Sequence, residues 1–491
     1  MGVYTPINDS SAFHQVAQYT GNGSTQSVTN TGNSNLQPDW LWIKRTSDTN
    51  SSHVVNAVQG LSGDIAVATD LTSAAFAGDV GSFNTDGFTL DSGANAVNGN
   101  SSTYVAYQWK AGGTAPTKTY RVVVVSDSGN KYRWRNSGNT ATFAQSAVTL
   151  DLQEGGTYTI DGSDSTMASH PIKLSTTANG THGGGSSYNT GVTYKLDGST
   201  VTESAYVSGY ASASSRQLVI TVAASAPTLY YYCHYHSGMG GQINTNATFG
   251  QSNFNGSVQS LESVNTTSKF SIVRYTGTGS EITVGHDLGS VPKTMWFKRL
   301  DSAENWRVYH WGGYVGNSYG QAQAVGKLNS TGAFDFGANS PFNNTLPTSS
   351  VFTVNVSTEV NASSGQYIAF LWDNVQGFQK FGQYTGSSQA VGPHIYTGFK
   401  PKMVMIKSTS ASAENWTILN STADPFNYQV QKVNANNNAA GSRDSNSMDF
   451  LSNGFKLRAA IGNWNASHQY VYWAWAEAPL VASNDVIGTA G

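Results

Sequence analysis

The chain is short of charged residues, cysteine and long apolar runs, and each shortage excludes a class of protein. Only 11% of the 491 residues are charged and the net charge is −3, which gives no electrostatic basis for binding nucleic acid. The single cysteine, Cys233, excludes an intrachain disulfide and fits assembly in a reducing cytoplasm. No run approaches the roughly 18 apolar residues of a membrane span, so we expect no membrane insertion. The polar residues 1–11 lack the apolar core of a signal peptide.

Glycine and aromatic residues are abundant instead, and together they indicate an all-β chain. Short segments rich in Thr, Val, Tyr and Trp alternate with turns built from Gly, Asn and Ser, which is typical of β-sandwiches. Aromatic residues reach 12%, and side chains of this kind need a core, which argues against disorder. The length predicts three or four domains.

Four landmarks recur three times in the same order, so the chain contains three copies of one domain. Each copy has a Tyr-Thr-Gly opening, an apolar strand that follows a proline, a strand that contains phenylalanine, and a closing strand that begins with tyrosine. The openings are at 19–21, 275–277 and 384–386, the prolines are Pro38, Pro292 and Pro401, the phenylalanines are Phe88, Phe352 and Phe455, and the closing tyrosines are Tyr104, Tyr367 and Tyr470.

The apolar strand of the first copy reads Trp40-Leu41-Trp42-Ile43. A period of two places both tryptophans on one face and Leu41 and Ile43 on the other. A strand that is apolar on both faces is expected to be central and buried between packed layers. We therefore expect these aromatic side chains to fill a core; stacking on carbohydrate by an exposed tryptophan or tyrosine is the alternative.

The repeat resembles one from tail-fibre and other virion proteins of marine and cyanobacterial phages. The first copy carries the resemblance best, through residues 38–45 and 104–113, whereas the third has Met403 and Met405 where the pattern has tryptophans. The resemblance implies a structural component of a bacteriophage virion, foremost a tail-fibre or other appendage subunit that is assembled in the host cytoplasm. Collar, spike and capsid-decorating proteins share such modules and stay open as alternatives.

The same resemblance implies other virion proteins and further copies of the chain as partners, and a host-surface glycan or receptor as the contact. It supplies no catalytic residues, and the sequence contains no His-Glu-x-x-His or P-loop motif. We therefore expect no enzymatic activity. The residues that would bind a glycan are not indicated by the sequence.

A different chemistry is suggested around Cys233, in a loop that continues through His236 to Met239. A thiolate, an imidazole and a thioether can converge from one such loop. With a second histidine they form the ligand set of a mononuclear blue-copper site, which has two His, one Cys and a weak axial Met. His170, which precedes Pro171 at a strand-like position, is the candidate for the second histidine.

Residues 114–247 resemble a cupredoxin, the Greek-key sandwich of plastocyanin and amicyanin. Carried over residue by residue, the resemblance implies one copper ion held by His170, Cys233, His236 and Met239. Pro171 departs from the family, which often has at that position an asparagine that ties the two ligand loops together. The alternative is the same fold without metal, in which Cys233 is a buried thiol and Met239 fills the core.

Two further histidines near this loop, His182 and His234, are not expected to be ligands. His234 is next to Cys233, and on a strand it would point away from it. A site filled by four protein ligands has no open position for a substrate, which favours electron transfer, metal storage or structural stapling over metal-catalysed hydrolysis.

These patterns predict an all-β, multidomain chain of three antiparallel β-sandwich repeats and one cupredoxin-like Greek-key sandwich. The predicted boundaries are a lead at 1–12, the first repeat at 13–113, the cupredoxin-like domain at 114–247, a linker at 248–268, the second repeat at 269–376, the third at 377–478 and a tail at 479–491.

Overall fold

Nearly every regular element is a β-strand, as the alternating pattern predicts. The computed structural model describes residues 5–61, 63–112, 116–246, 250–313, 323–336 and 341–480. Parts of the predicted lead (1–4), tail (481–491) and linker (248–249) lie outside these residues. The chain forms two compact units: unit 1 contains 1–111, 264–282 and 287–491, and unit 2 contains 112–263 and 283–286. The all-β class is confirmed.

The first repeat begins with a 3₁₀ turn (Ser10–Ala12) and contains nine strands and one short helix, α1 (Asn95–Asn98). The strands are β1 (His14–Thr20), β2 (Gln26–Val28), β3 (Trp40–Arg45), β4 (His53–Asn56), β5 (Asp64–Ala66), β6 (Phe76–Ala77), β7 (Val80–Phe83), β8 (Phe88–Leu90) and β9 (Thr103–Trp109). An antiparallel sheet of order β1-β9-β3-β4 is accompanied by a smaller sheet of order β2-β8-β7.

Unit 2 carries the strands that follow in sequence, with helix α2 (Glu203–Gly209) and 3₁₀ turns at Ser165–Met167 and Gly180–Gly183. The strands are β10 (Thr117–Ser126), β11 (Asn130–Arg135), β12 (Leu150–Gln153), β13 (Thr157–Asp161), β14 (Ile172–Ser175), β15 (Val192–Leu196), β16 (Ser199–Val201), β17 (Arg216–Thr221), β18 (Leu229–Cys233), β19 (Gln242–Asn246), β20 (Gln251–Asn253) and β21 (Ser260–Asn265). Sheets of order β11-β10-β13-β17-β15-β16 and β12-β19-β18-β14 share one apolar core, which makes a β-sandwich.

The second repeat has helix α3 (Thr358–Asn361) and the third has strands only among its described residues. Repeat 2 contains β22 (Phe270–Thr276), β23 (Ile282–Gly285), β24 (Thr294–Arg299), β25 (Arg307–His310), β26 (Ala324–Gly326), β27 (Asp335–Phe336), β28 (Val351–Val354) and β29 (Gln366–Trp372). Repeat 3 contains β30 (Gln379–Thr385), β31 (His394–Tyr396), β32 (Phe399–Ser408), β33 (Thr417–Asn420), β34 (Gln429–Asn434), β35 (Ser442–Leu451), β36 (Gly454–Leu457) and β37 (Gln469–Pro479).

The three repeats share one sheet topology. The opening strand pairs with the closing strand, which pairs with the apolar strand, in the orders β1-β9-β3-β4, β22-β29-β24-β25 and β30-β37-β32-β33. The register is also equivalent, because the tyrosine of each Tyr-Thr-Gly opening faces the tyrosine that begins the closing strand: Tyr19 faces Tyr104, Tyr275 faces Tyr367, and Tyr384 faces Tyr470. The repeat in the sequence is therefore a repeat in the fold.

The Tyr-Thr-Gly signature is explained by packing around this tyrosine pair. In repeat 1 the rings of Tyr19 and Tyr104 stack with centroids 5.1 Å apart, and the hydroxyl of Tyr19 donates to the carbonyl of Val97 in α1. Gly21 approaches the backbone so closely that a Cβ there would lie 2.4 Å from the carbonyl oxygen of Gly99. Any larger residue would push the opening strand away from its helix.

The apolar strand is buried on both faces, as its sequence predicts. Leu41 and Ile43 belong to the core of their own repeat, whereas the two tryptophans face the other repeats. The ring centroids of Trp40 and Trp372 are 5.7 Å apart. We call the cluster in which indoles of all three repeats meet the tryptophan hub; it consists of Trp40, Trp42, Trp109, Trp296, Trp372, Trp473 and Trp475, all at most 2% exposed.

Each repeat has a buried lysine at the last position but one of its apolar strand, and this lysine links the repeat to another repeat. Each Nζ atom donates to one carbonyl of its own repeat and one of a different repeat, at 2.6 to 3.0 Å: Lys44 to Asn50 and Asn437, Lys298 to Glu304 and Thr72, and Lys407 to Glu414 and Thr331. Repeat 1 thus contacts repeat 3, repeat 3 contacts repeat 2, and repeat 2 contacts repeat 1. The three copies form a closed ring of contacts.

Backbone contacts repeat the same cycle. The amide of Ala75 donates to the carbonyl of Leu300, that of Phe334 to Thr409, and that of Gly441 to Thr46, at 2.8, 3.1 and 3.0 Å. The three acceptors occupy the same position, two residues after the buried lysine of each repeat. Burial lowers the pKa of each lysine from 10.5 to about 8, so the ammonium form still predominates at pH 7.

Two features of the structure bear on the predicted boundaries, which stay a prediction. The three repeats lie together in unit 1, where their tryptophan faces pack against one another. The predicted linker at 248–268 contains β20 and β21, whose residues pair antiparallel from Gln251 with Glu262 to Asn253 with Ser260. Its Asn, Ser and Gly composition indicated a linker without showing whether it is packed, and in the structure Glu262 is buried against Lys118 and Asn253 within unit 2.

Replacing Lys298 by methionine should lower the free energy of unfolding of unit 1. Methionine fills a similar volume but leaves the carbonyls of Thr72 and Glu304 without this donor, at a cost of about 1–3 kcal/mol. Urea unfolding followed by tryptophan fluorescence measures the loss, since Trp134 alone of the 12 tryptophans lies in unit 2. Lys456→Met, at a partly exposed position on β36, is the matched control, and an equal loss there would contradict the linking role.

Candidate metal centre

Neighbouring strands bring Cys233 and His170 together in unit 2. Cys233 is the last residue of β18 and pairs with Ile172, the first residue of β14. His170 lies two residues before Ile172, so its ring reaches the thiol, and Nδ1 of His170 is 3.8 Å from Sγ of Cys233. Cys233 is fully buried and His170 is 8% exposed.

His236 approaches the same sulfur from the loop that follows β18. Its Nδ1 atom is 3.5 Å from Sγ of Cys233, and its ring centroid is 4.6 Å from that of His170. The potential ligand atoms of the three residues all lie within 4.8 Å of one another. His236 is exposed whereas the other two are buried, so the cluster has one edge at the surface.

These distances fit a single metal ion. With metal–nitrogen bonds of about 2.0–2.1 Å and a metal–sulfur bond of about 2.3 Å, the N···S edge of a tetrahedral site is roughly 3.6 Å. The two N···S distances are 3.5 and 3.8 Å. Both histidines also direct the same kind of atom, Nδ1, at the sulfur, which leaves both Nε2 atoms pointing away from it. The protein has therefore arranged two imidazoles and a thiol with the spacing that a metal requires.

Met239, the fourth predicted ligand, lies on the inner side of the same loop. It is 1% exposed and belongs to the apolar core cluster that also contains Cys233. Its backbone carbonyl accepts from the amide of Tyr132 at 2.9 Å, which fixes the end of the loop to β11. The structure thus brings His170, Cys233 and His236 into one cluster, and it buries Met239 in the core beside them; Met239 as a ligand stays a prediction.

Asn179 ties the ligand loop to the rest of unit 2, and sequence reasoning missed it. Its Oδ1 atom accepts from the amide of Gly238 at 2.7 Å, and its Nδ2 atom donates to Oγ of Ser237 at 3.0 Å. Gly238 has φ of +72°, a conformation that glycine adopts without strain. Pro171 cannot make this link, but Asn179 makes it from the 3₁₀ turn that follows β14. The Asn-Gly dipeptide at 179–180 indicates a turn in the sequence, but it does not indicate that Asn179 binds the loop at 237–238.

Tyr132 is the second residue that sequence reasoning missed. Its hydroxyl donates to the carbonyl of His170 at 2.8 Å, and its amide donates to Met239, so one residue of β11 holds both loops of the cluster. Burial raises the pKa of Tyr132 well above 10, and the hydroxyl therefore remains a donor. No sequence motif identifies Tyr132, because its role depends on β11 packing against the loops that carry His170 and Met239.

Burial also prepares His170 for a metal. Desolvation, and secondarily the neighbouring His236, holds the pKa of His170 below 6.5. The imidazole is therefore neutral at pH 7, with a lone pair available on one nitrogen. A neutral imidazole and an ionisable thiol are the forms in which these side chains bind metals.

His182 and His234 take positions outside the cluster. Nε2 of His182 is 3.1 Å from the backbone carbonyl of Cys233, so it contacts the ligand strand rather than the thiol. The amide of His234 donates to the carbonyl of Pro171 at 2.9 Å, and its ring packs on Tyr235. His234 thus helps to hold the two loops together through its backbone.

The fold and the cluster define an all-β protein with a three-repeat unit and a β-sandwich that carries a candidate mononuclear metal centre. A family model described as a domain of unknown function, DUF7483, matches residues 9–182 and 244–479, and the chain belongs to this family. Neither the curated proteins nor the solved structures include a match to the chain. His170 lies inside the matched ranges, whereas Cys233, His236 and Met239 lie between them. Within the described ranges, no helix has the length and apolar character needed to cross a membrane.

Replacing Asn179 by alanine should loosen the loop from 234 to 240. The amide of Gly238 loses its acceptor, and its hydrogen exchange should accelerate at least tenfold because local opening no longer breaks that bond. Exchange measured on the intact chain by mass spectrometry or NMR reports the change. Ser214→Ala, at an exposed position in the same unit, should leave the loop unchanged. Unaltered exchange in Asn179→Ala would show that the loop is held without this side chain.

Proposed function

We propose that unit 2 binds one copper ion through His170, Cys233, His236 and Met239. The observation that carries the proposal is the convergence of both Nδ1 atoms on Sγ of Cys233 at 3.8 and 3.5 Å. This set contains two imidazoles, one thiolate and one thioether, the combination that cupredoxins use. Soft sulfur ligands favour copper over the harder divalent ions, and a thioether is an uncommon ligand for zinc.

The residues around the cluster favour a binding role over catalysis. Four protein side chains leave no coordination position for a substrate. Cys233 is fully buried, Tyr132 and Asn179 fix the two loops, and the exposed edge of the cluster is at His236. When bound, copper would supply a one-electron redox couple and a covalent link between the loop before β14 and the loop after β18.

A structural role in a bacteriophage virion is the second part of the proposal, and the architecture of unit 1 favours it. Three copies of a module that resembles phage tail-fibre and other virion repeats close into one ring, through three equivalent lysine contacts. Such a unit suits a rigid building block that packs against other virion proteins and copies of itself. The chain would be assembled in the host cytoplasm and reside in the particle, as a fibre or other appendage subunit or as a capsid decoration.

A copper titration of the purified chain should reveal an intense visible band from thiolate-to-copper charge transfer, which saturates at one copper per chain. Cys233→Ser should abolish the band because the sulfur is its source, and Met239→Leu should change its energy because the axial ligand is lost. Visible absorption and electron paramagnetic resonance of the full chain measure both effects.

His234→Ala is the matched control for this titration, since it removes a neighbouring imidazole whose ring lies outside the cluster and should leave the band intact. Thermal unfolding of each variant checks that unit 2 remains folded. Absence of a band in the folded parent chain, or its persistence in Cys233→Ser, would rule out the four-ligand site.

Immunogold labelling tests the virion role. Antibodies raised against the purified chain should decorate one fixed position on phage particles that are produced from the genome encoding it. Label on an appendage, on the collar or over the capsid surface would locate the subunit. Intact particles without label, together with free protein in the lysate, would contradict a virion role without affecting the copper proposal.

A further inference from the structure

A groove of about 330 Å³ lies between repeats 1 and 2 within unit 1. This volume is at the lower end of the range for small-molecule sites. Its lining mixes charged, amide and apolar side chains, namely Gln59, Ile65, Ala75, Arg274, Leu300, Asp301 and Gln366. We call it the Arg274 groove.

The groove has fixed walls. The amide of Ala75 in repeat 1 donates to the carbonyl of Leu300 in repeat 2 at 2.8 Å, and this bond is one of the three equivalent contacts that close the ring. Ile65 and Leu300 are 4% and 8% exposed and supply an apolar floor. The side chains of the groove are therefore carried by a framework that is already held in place.

Arg274 is a partly buried cation in the lining of the groove. Within the part of the chain that the structure describes, its guanidinium makes no hydrogen bond or ion pair. The nearby Asp301 does not neutralise it, because Oδ1 of Asp301 accepts from Nε of Arg299 at 2.9 Å and from the amide of Gln366 at 3.2 Å. A guanidinium that lines a groove in this state favours an anionic ligand, since it binds a carboxylate through two parallel hydrogen bonds.

The other two repeats show that the fold does not need these charges. Arg274 precedes the tyrosine of its repeat opening, and the equivalent residues are Gln18 and Gln383. Asp301 is replaced by Ser47 and Ser410, whose hydroxyls accept the same backbone bond, from Thr103 at 3.2 Å and from Gln469 at 3.0 Å. Repeat 2 therefore carries an arginine and an aspartate at two positions where the other repeats form the same fold with neutral residues.

Two further groups in the groove are available to a ligand. Oε1 of Gln59 accepts from Asn56, which leaves the Nε2 donor, and Oδ2 of Asp301 has no partner within the described part of the chain. A carboxylate oxygen accepts hydroxyl groups and repels a second anion. The groove thus presents a carboxylate receptor, an acceptor for hydroxyls and an apolar floor for C–H groups.

We propose that the Arg274 groove binds an acidic saccharide unit, a uronic acid of an anionic polysaccharide. Arg274 takes the carboxylate, Oδ2 of Asp301 accepts a ring hydroxyl, Gln59 donates to another, and Ile65 and Leu300 contact the C–H face. An acidic peptide also offers a carboxylate to Arg274, but a sugar ring presents hydroxyls to Asp301 and Gln59 and a C–H face to Ile65 and Leu300 within one rigid unit. The proposal is independent of the metal centre in unit 2.

Calorimetric titration of the full chain with sodium glucuronate tests the proposal, with glucose and sodium acetate as matched probes. Glucose keeps the ring hydroxyls without the carboxylate, and acetate keeps the carboxylate without the ring. Glucuronate should bind at least tenfold more tightly than either. Arg274→Gln should weaken glucuronate at least tenfold, and Asp301→Ser should weaken glucuronate severalfold without weakening acetate, because it removes a hydroxyl acceptor and also a charge that repels anions.

Both variants copy residues that the sister repeats already carry, so we expect them to fold, and thermal unfolding verifies this. Arg443→Gln removes the same charge from a side chain that is 62% exposed on β35 and should leave glucuronate binding unchanged. Equal affinities for glucose and glucuronate, or for acetate and glucuronate, would overturn the assignment to an acidic saccharide. Unchanged binding in Arg274→Gln would overturn the site itself.

Discussion

Burial of tryptophan at the meeting point of the three repeats is the constraint on which unit 1 depends. The closing strands each carry a tryptophan at an equivalent position, Trp109, Trp372 and Trp475, and these indoles lie in contact or share the neighbour Trp40. A buried aromatic side chain removes about 150–250 Å² from water, worth roughly 4–6 kcal/mol as an upper estimate. One repeat alone would leave its indoles exposed, so the copies cannot act as independent domains.

Apolar contact does not by itself select one arrangement of the three repeats. The buried lysines determine which repeat packs against which. Each ammonium group donates to two carbonyls, one of which a different repeat provides. A shifted packing would therefore leave a buried charge without one of its acceptors. The tryptophan hub buries apolar surface between the repeats, and the three lysine links decide which repeat contacts which. Local differences such as Arg274 and Asp301 are then tolerated at the rim, where they create new binding chemistry.

The candidate metal centre of unit 2 depends on a different feature, the pairing of β14 with β18. That pairing places the end of one strand beside the start of the other, so residues 63 positions apart in sequence point at one another. Asn179 and Tyr132 then hold the loops that carry the histidines and Met239. Three of the four proposed ligands lie between the two ranges that match the family model. The family resemblance therefore concerns the repeats and the parts of unit 2 before residue 183 and after residue 243, and the copper proposal rests on geometry.

The sequence alone determined the all-β class, the three repeats and the set of side chains at the candidate metal centre, because these follow from local alternation, internal similarity and the chemistry of Cys, His and Met. It also placed Leu41 and Ile43 on the face opposite Trp40 and Trp42. Only the tertiary structure decided that the tryptophan faces meet in one unit, that residues 251–253 and 260–265 form strands, and that Asn179 and Tyr132 support the loops of the candidate metal centre. Those outcomes depend on contacts between distant segments. The local sequence around a polar residue does not reveal which distant carbonyl or amide will be its hydrogen-bond partner.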